Sequence, residues 1–424
     1  MVLLKAHQKK AVDYLNRNNV NSLLLAFPTG SGKTITAMSY SKKFLNKFKE
    51  AKVIFVGPVS VLSDAYKTAE NLNINMDKFE FYSYQKFRND FEENKIHCGG
   101  NLLIIDEAHN LKNLNKGGER AKSIFKCASF SRKRLLLTAT PFMNELEDLS
   151  VLVNFLYGAP LIHKRSQIRV VTDLLKYIKN KVYYIPLTEN RGKDFPSITR
   201  KEVKIEMPES YQKDYCKLIR GEAVNNMLFL KPYAFYNAHR RVVNKIGRNE
   251  EYFSLKINKA MEIIEGYKSV IFTNWLEFGV TPISKELKKR KIKFEVYKGS
   301  LSENKRNEIV HKYNNDMIQV LIITTSGKEA INLMGTRRLI IMDPVWNYSG
   351  MLQIEGRAAR YKSHEHLDIK ERKVEVFNLI LKTKKNLNKD KRKCLSGDEV
   401  VYKFIDIKRK MQFSVHRLLK EASI

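Results

Sequence analysis

The chain has 424 residues, enough for two or three domains with cores of their own, and 43% of them are hydrophobic. No apolar run approaches the ~18 residues of a helical membrane span, and the composition fits a globular protein. Lys and Arg number 77 against 45 Asp and Glu, a net charge of +32.

That charge admits two readings. A polyanionic partner rewards distributed cations through counterion release. A lysine-rich genome also spreads Lys over solvated surfaces, and the abundant Asn, Ile and Tyr fit that bias. The start, "MVLLKAHQKKAV", is apolar only briefly before charge intervenes, which argues against a secretory leader. Cys98, Cys127, Cys216 and Cys394 show neither a C-x-x-C pair nor metal-ligand spacing. Buried thiols in a reducing, intracellular setting are therefore expected.

In chain order, "SLLLAF" (22–27), "KVIFVG" (52–57), "NLLIID" (101–106) and "KRLLLTA" (133–139) read as buried parallel strands. Stretches between them, such as "TITAMSYSKKFLNKF" (34–48), have helical spacing. A second series follows at 269–274, 293–299, 319–325, 337–343 and 373–381. Each series predicts a doubly wound parallel α/β domain. The expected organisation is a nucleotide-binding domain over 1–160, a connecting helical region over 161–255, a second α/β domain over 256–381 and a basic C-terminal extension over 382–424. One strand-like run, "TRKEVKIEMP" (199–208), lies in the connecting region.

After the first strand comes "PTGSGKT" and then a helix, the context a phosphate loop needs. Thr29, Gly30, Ser31 and Gly32 would turn backbone amides toward phosphate oxygens at the positive end of that helix. Lys33 would pair with the β and γ phosphates, and Thr34 would ligate Mg²⁺. The strict pattern wants glycine where Phe27 stands, and a purely structural turn is the alternative. "IIDEAH" (104–109) shifts the balance. A carboxylate pair at the end of a buried strand is costly unless it meets a metal or donors. Asp106 is placed to hold Mg²⁺, and Glu107 to orient or activate the attacking water. Asp106 as a helix cap is the alternative, which loses weight with Lys33 upstream.

"TGSGKT", "DEAH", "TAT" (138–140) and "QIEGRAAR" (353–360) occur in the order found in superfamily 2 helicases and translocases, and the chain resembles that family over most of residues 1–381. The resemblance implies two RecA-like domains with ATP between them and nucleic acid lying across both. It implies adenine contact by Gln8 in "LKAHQKKAVDYL", and coupling of hydrolysis to domain movement by Thr138 and Thr140. It implies nucleic-acid contact by Pro58 and Ser60 in "GPVSVLSDAY" and by Thr273, Thr324 and Arg240 in the second half. Arg357 and Arg360, three residues apart and so on one face of a helix, would reach the γ phosphate across the cleft, with Gln353 facing the same cleft. Guanidinium suits that task as a planar, permanent charge.

"RLIIMDPVWNYSGMLQIEGRAARYKSH" (338–364) resembles the chromatin-remodeller branch. "ARYKSH", "DEAHN" and the 181–215 segment resemble poxvirus-type nucleoside triphosphatase I and the small subunit of the viral early transcription factor. These imply a DNA-dependent ATPase of viral transcription. DNA is favoured over RNA, RNA polymerase or another transcription factor is a partner, and the location is the cytoplasm, a viral factory or the virion. A non-catalytic nucleic-acid clamp and an RNA helicase are the alternatives. Tyr233, Phe235 and Tyr236 near Arg240 and Arg241 would either stack bases or fill core. The cluster "KTKKNLNKDKRK" would either touch phosphates or stay solvated.

Overall fold

Apolar runs too short for helices become strands covered on both faces. In the computed structural model, which describes residues 3–28, 30–111, 118–139, 141, 146–162, 171–186, 194–219, 237–244, 254–325, 331–345, 348–384 and 394–424, these strands form two six-stranded sheets, every pairing parallel. The chain divides into two compact units, residues 1–190 with 409–424, and residues 191–408.

In the first unit the order of elements is α1 (Ala6–Leu15), β1 (Ser22–Ala26), α2 (Lys33–Lys47), β2 (Val53–Gly57), α3 (Val59–Asn71), β3 (Phe79–Ser83), α4 (Tyr84–Glu92), β4 (Leu102–Ile105), α5 (Glu119–Phe130), β5 (Lys133–Thr138), α6 (Leu146–Tyr157), α7 (Leu175–Ile178) and β6 (Val182–Tyr184). The sheet order is β3-β2-β4-β5-β1-β6. Successive strand residues point to opposite faces, so Leu23 and Leu25 join Leu15, Ala37 and Phe44 on one side. Leu24 and Ala26 join Ile124, Leu152 and Phe155 on the other. Two cores on one sheet are what a doubly wound fold requires.

The second unit contains β7 (Ser197–Glu206), α8 (Glu209–Ile219), α9 (Asn237–Val242), α10 (Leu255–Ile264), β8 (Ser269–Phe272), α11 (Thr281–Lys289), β9 (Phe294–Tyr297), α12 (Glu303–Asn314), β10 (Val320–Ile323), β11 (Arg338–Ile341), α13 (Tyr348–Ala358), β12 (Lys373–Lys382) and the start of α14 (Gly397–Ala422). Its order is β7-β12-β11-β8-β10-β9. Here too the inner strands split their side chains between two clusters, Val270 and Phe272 against Ile271. Two tandem doubly wound parallel sheets, as the strand series implied, are the architecture, and they match the RecA-like domains that the resemblance implied.

The residues expected to connect them are shared out instead. β6 pairs with β1, Leu24 opposite Val182, and so belongs to the first sheet. β7 forms the edge of the second sheet along all ten residues of β12. The expected C-terminal extension is likewise divided. Asp398 is buried in the second unit, whereas Val415, Leu418, Leu419 and Ala422 enter a core of the first.

The cysteines need a correction. Cys98 is bonded to Cys127, and Cys216 to Cys394. The chain brings the approach to β4 alongside α5, and α8 alongside the approach to α14, so residues 29 and 178 positions apart become neighbours. No helix among the described residues is long and apolar enough to cross a membrane.

Candidate nucleotide site and nucleic-acid interface

β1 and β4 flank β5 in a parallel sheet, so the loops leaving all three emerge at one edge. That edge is where open α/β sheets hold ligands. After β1 the chain turns through Gly30 (φ +82°) and Gly32 (φ +87°), backbone that side-chain-bearing residues seldom adopt. Space imposes glycine a second time at Gly32, where a Cβ would stand 2.2 Å from Gln8 Nε2. α2 then begins at Lys33, its first-turn amides facing the loop. Thr29 lies outside the described residues, and Thr34 is half-buried on the first turn of α2.

The Lys33 ammonium is buried and donates to the Phe27 carbonyl at 3.1 Å and the Pro28 carbonyl at 3.4 Å. Phe27 is no substitute for the missing glycine's freedom. Its ring is fully buried, edge-on to His7 and Tyr183. Gln8 Nε2 donates to Ser31 O at 3.1 Å while Gln8 Oε1 accepts from Lys5 N at 2.9 Å. His7 Nε2 lies 3.0 Å from the same Ser31 carbonyl. A carbonyl only accepts, so that nitrogen carries hydrogen. Sequence reasoning passed over His7, an ordinary polar residue on an amphipathic helix.

At the end of β4, Asp106 is 4% exposed. Burial, and then the neighbouring Glu107 charge, push its carboxyl up to about 6, while Lys33 pulls the other way. Lys33 and Asp106, 73 positions apart in sequence, therefore share one electrostatic environment. The Glu107 amide donates to Asp106 Oδ1 at 2.8 Å. Glu107 itself has φ +49°, uncommon for a side-chain-bearing residue. Its carboxylate lies 3.2 Å from His109 Nδ1, which also lies 3.1 Å from Thr138 Oγ1 at the end of β5. Thr140 lies outside the described residues. A buried carboxylate beside a hydroxyl-bearing helix start is the donor chemistry of a hard divalent cation. The glycine-lined turn fits a phosphate chain. Asp106, Thr34 and the loop thus fit Mg²⁺ and a nucleoside triphosphate.

Pro58 and Ser60 leave β2 next to this edge. A Cβ on Gly57 would lie 3.4 Å from Asp106 Cβ. Pro58 caps α3, with Val59 74% exposed and Ser60 exposed.

The second unit treats its expected contacts differently. Thr273 is fully buried and donates to Asp343 Oδ2 at 2.7 Å. Arg240 is 6% exposed, donates to Pro344 O at 3.0 Å and lies over the Trp275 ring. Thr324 is buried at the end of β10, its amide donating to Tyr297 O. These residues come together, but as interior groups of the fold. Tyr233, Phe235 and Tyr236 lie outside the described residues.

Gln353 and Arg357 are half-buried on α13, whose Glu355 is held by Arg200 through contacts of 2.6 to 3.1 Å. Arg360 corrects the expected shared helix face. α13 ends at Ala358, and the Arg360 amide donates to Ser363 Oγ at 3.1 Å while Ser363 Oγ donates back to Arg360 O at 2.8 Å. That side-chain turn stops the helix and re-aims the second arginine.

Fold and site define an ATP hydrolase with a phosphate loop and a strand-end acid pair on tandem RecA-like sheets. Three family profiles match: helicase conserved C-terminal domain over residues 255–362, SNF2-related domain over 67–172, and type III restriction enzyme, res subunit, over 1–86. The chain carries SNF2-related and helicase C-terminal domains and is similar to the remodeller-like branch of the superfamily 2 helicases. A mimivirus protein named putative ATP-dependent RNA helicase L538 is 27% identical over all of this chain and 98% of its own length. Nucleoside triphosphatase I of Heliothis armigera entomopoxvirus is 24% identical over 89% of this chain and 73% of its own. The solved Sulfolobus solfataricus SWI2/SNF2 ATPase core in complex with dsDNA covers 90% of this chain and 88% of that one, at 20% identity and a TM-score of 0.41. The family profiles and the viral relatives make the chain a nucleic-acid-dependent ATPase of the helicase class.

Proposed function

We propose that this ATPase is a DNA-dependent translocase acting in transcription, in the cytoplasm, viral factory or virion of a viral system. The observation that carries the catalytic part is the convergence of Lys33, Asp106 and Glu107 at one sheet edge, with Lys33 acting on Asp106. Lys33 exchanges the Phe27 carbonyl for β and γ phosphate oxygens, the loop from Thr29 to Gly32 wraps the phosphates, and Gln8 turns to adenine. Thr34 and Asp106 would hold Mg²⁺, which when bound would neutralise developing phosphate charge. Glu107 orients the attacking water, with His109 linking it to Thr138. Arg357 and Arg360 supply cationic donors to the γ phosphate when the second unit closes, and Gln353 lines the same surface. Half-buried Pro58 and exposed Ser60 contact the polymer backbone. For Thr273, Thr324 and Arg240 the buried geometry supports an indirect part, shaping the second unit beneath a contact surface.

The resemblance to nucleoside triphosphatase I and the SNF2-related match support DNA. RNA is the second reading, supported by the naming of the mimivirus relative as a putative RNA helicase. ATPase rates without polymer and with single-stranded DNA, duplex DNA or RNA separate them. Stimulation by DNA above RNA is expected. Stimulation by RNA alone would transfer the reading, and hydrolysis indifferent to every polymer would remove it.

A further inference from the structure

The acid pair sits on a turn whose geometry is unusual in two linked ways. The chain leaves the sheet at Asp106, whose amide makes the last rung with Val56 O at 2.8 Å. The next residue, Glu107, turns into the left-handed region at φ +49°. For a residue with a side chain, such a conformation costs roughly 1–3 kcal/mol and persists only where surroundings fix it. The carbonyl of Asp106 also points away from the sheet and needs a donor in a buried place.

One side chain meets both needs. Tyr84 opens α4, directly after β3, where Ser83 caps the helix by accepting from Lys86 N at 3.1 Å. The Tyr84 hydroxyl stands 2.6 Å from Asp106 O and 3.1 Å from Glu107 O. It has one proton, which goes to the nearer carbonyl, and it accepts from the Asn110 side chain. The Asn110 amide in turn donates to Glu107 O at 2.9 Å. A phenol keeps its proton at neutral pH, so this hydroxyl is a donor there.

We infer that Tyr84 is a positioning residue for the reaction, holding the Asp106–Glu107 peptide so that one carboxylate aims at the metal position and the other at the attacking water. The inference deepens the nucleotide-site reading and rests on it. The peptide joins the two acids, so a rotation there redirects both side chains together. The Tyr84 hydroxyl meets the Asp106 and Glu107 carbonyls, so its removal should leave nucleotide capture by Lys33 and the phosphate loop alone.

Tyr84→Phe removes the hydroxyl and keeps the ring. The turnover number for ATP should fall by about 10- to 100-fold, the range of one lost buried hydrogen bond acting on the reacting groups, with KM changed less than about threefold. Without turnover, fluorescent-ADP titration with and without Mg²⁺ should show the metal-dependent gain in affinity shrink, while affinity without metal stays put. Tyr82→Phe, whose lost hydroxyl faces Glu80 at 3.1 Å, should change neither readout. A Tyr84→Phe enzyme with wild-type turnover and metal dependence overturns the assignment. So does one that loses thermal stability and metal-free nucleotide affinity together, because Tyr84 would then be only structural. A turnover loss with the metal-dependent gain intact overturns it as well. Failure of the underlying reading looks different, since the wild-type protein itself would then hydrolyse no ATP.

Discussion

Asp106 and Asp343 each follow a central strand of a parallel sheet, and both are nearly inaccessible. Their surroundings differ. Asp343 takes hydrogen bonds from the Asn244 side chain, the Thr273 hydroxyl at 2.7 Å and the Asn274 amide at 2.9 Å. Asp106 takes one from the Glu107 amide, beside a second carboxylate, and burial raises it to about 6. The fold of the second unit satisfies its aspartate and uses it to tie α9, β8 and β11 together. That of the first gives its aspartate a single donor among the described residues and sets it in the field of a lysine. A strand-end carboxylate that its own fold leaves under-supplied is the one available for a ligand.

The comparison breaks most severely at the phosphate loop. Lys33→Ala and Glu107→Gln should each cut ATP turnover by roughly 10³ or more, an order typical of lost phosphoryl-transfer groups. The two should part in binding assays. Lys33→Ala weakens nucleotide binding, and Glu107→Gln traps nucleotide without hydrolysing it. Glu107→Gln turning over like wild type would remove Glu107 from the chemistry.

Next in size are the aspartates. Asp343→Asn gives up charge-assisted bonds inside the second unit, worth ~1.5–3 kcal/mol each, and should lower the melting temperature by several degrees. Asp106→Asn should leave melting unchanged or higher, because a raised carboxyl is one whose charge the fold does not favour, yet it should abolish turnover. Equal melting losses in the two variants would erase the distinction drawn between them.

A smaller effect comes from His364, in "YKSH". It is 1% exposed, and its Nε2 donates to Thr336 O at 2.7 Å. Burial lowers it to about 4, and Arg337, His366 and Lys268 push the same way. Its unfolded value is near 6.5, so the unfolded chain binds the extra proton first. Stability of the second unit should fall as pH drops from about 6.5 toward 4 and then level off. His364→Gln should flatten that slope in urea titrations, and a slope unchanged by the substitution would assign it elsewhere.

The central strands were legible because parallel strands covered on both faces must be continuously apolar, as in Leu23–Leu25 and Leu102–Ile105. β3, "FEFYS", was not, since an edge strand tolerates Glu80 on a half-covered face. Three residues of β6 are too few to show a period. Lys33, Asp106 and Glu107 were readable because their chemistry fixes their spacing from strand ends. The cysteine pairs were not, because a separation of 178 residues leaves no local trace. Tyr84 escaped for a related reason: a phenol that supports a backbone carbonyl through tertiary packing looks in sequence like any aromatic at a helix start. Thr273 and Arg240 show the reverse, polar types at strand and helix ends that suggest contact with a partner and that the fold also employs itself.

The central proposal is that chemistry assembled in the first unit is completed by arginines of the second. Single-turnover ATP hydrolysis of Arg357→Ala and Arg360→Ala, with and without single-stranded DNA and beside fluorescent-nucleotide binding, tests it most directly. The account predicts nucleotide affinity within a few-fold of wild type, a rate lower by roughly 10³, the order of a lost arginine finger, and no stimulation by DNA. Normal DNA-stimulated rates in both variants would contradict it.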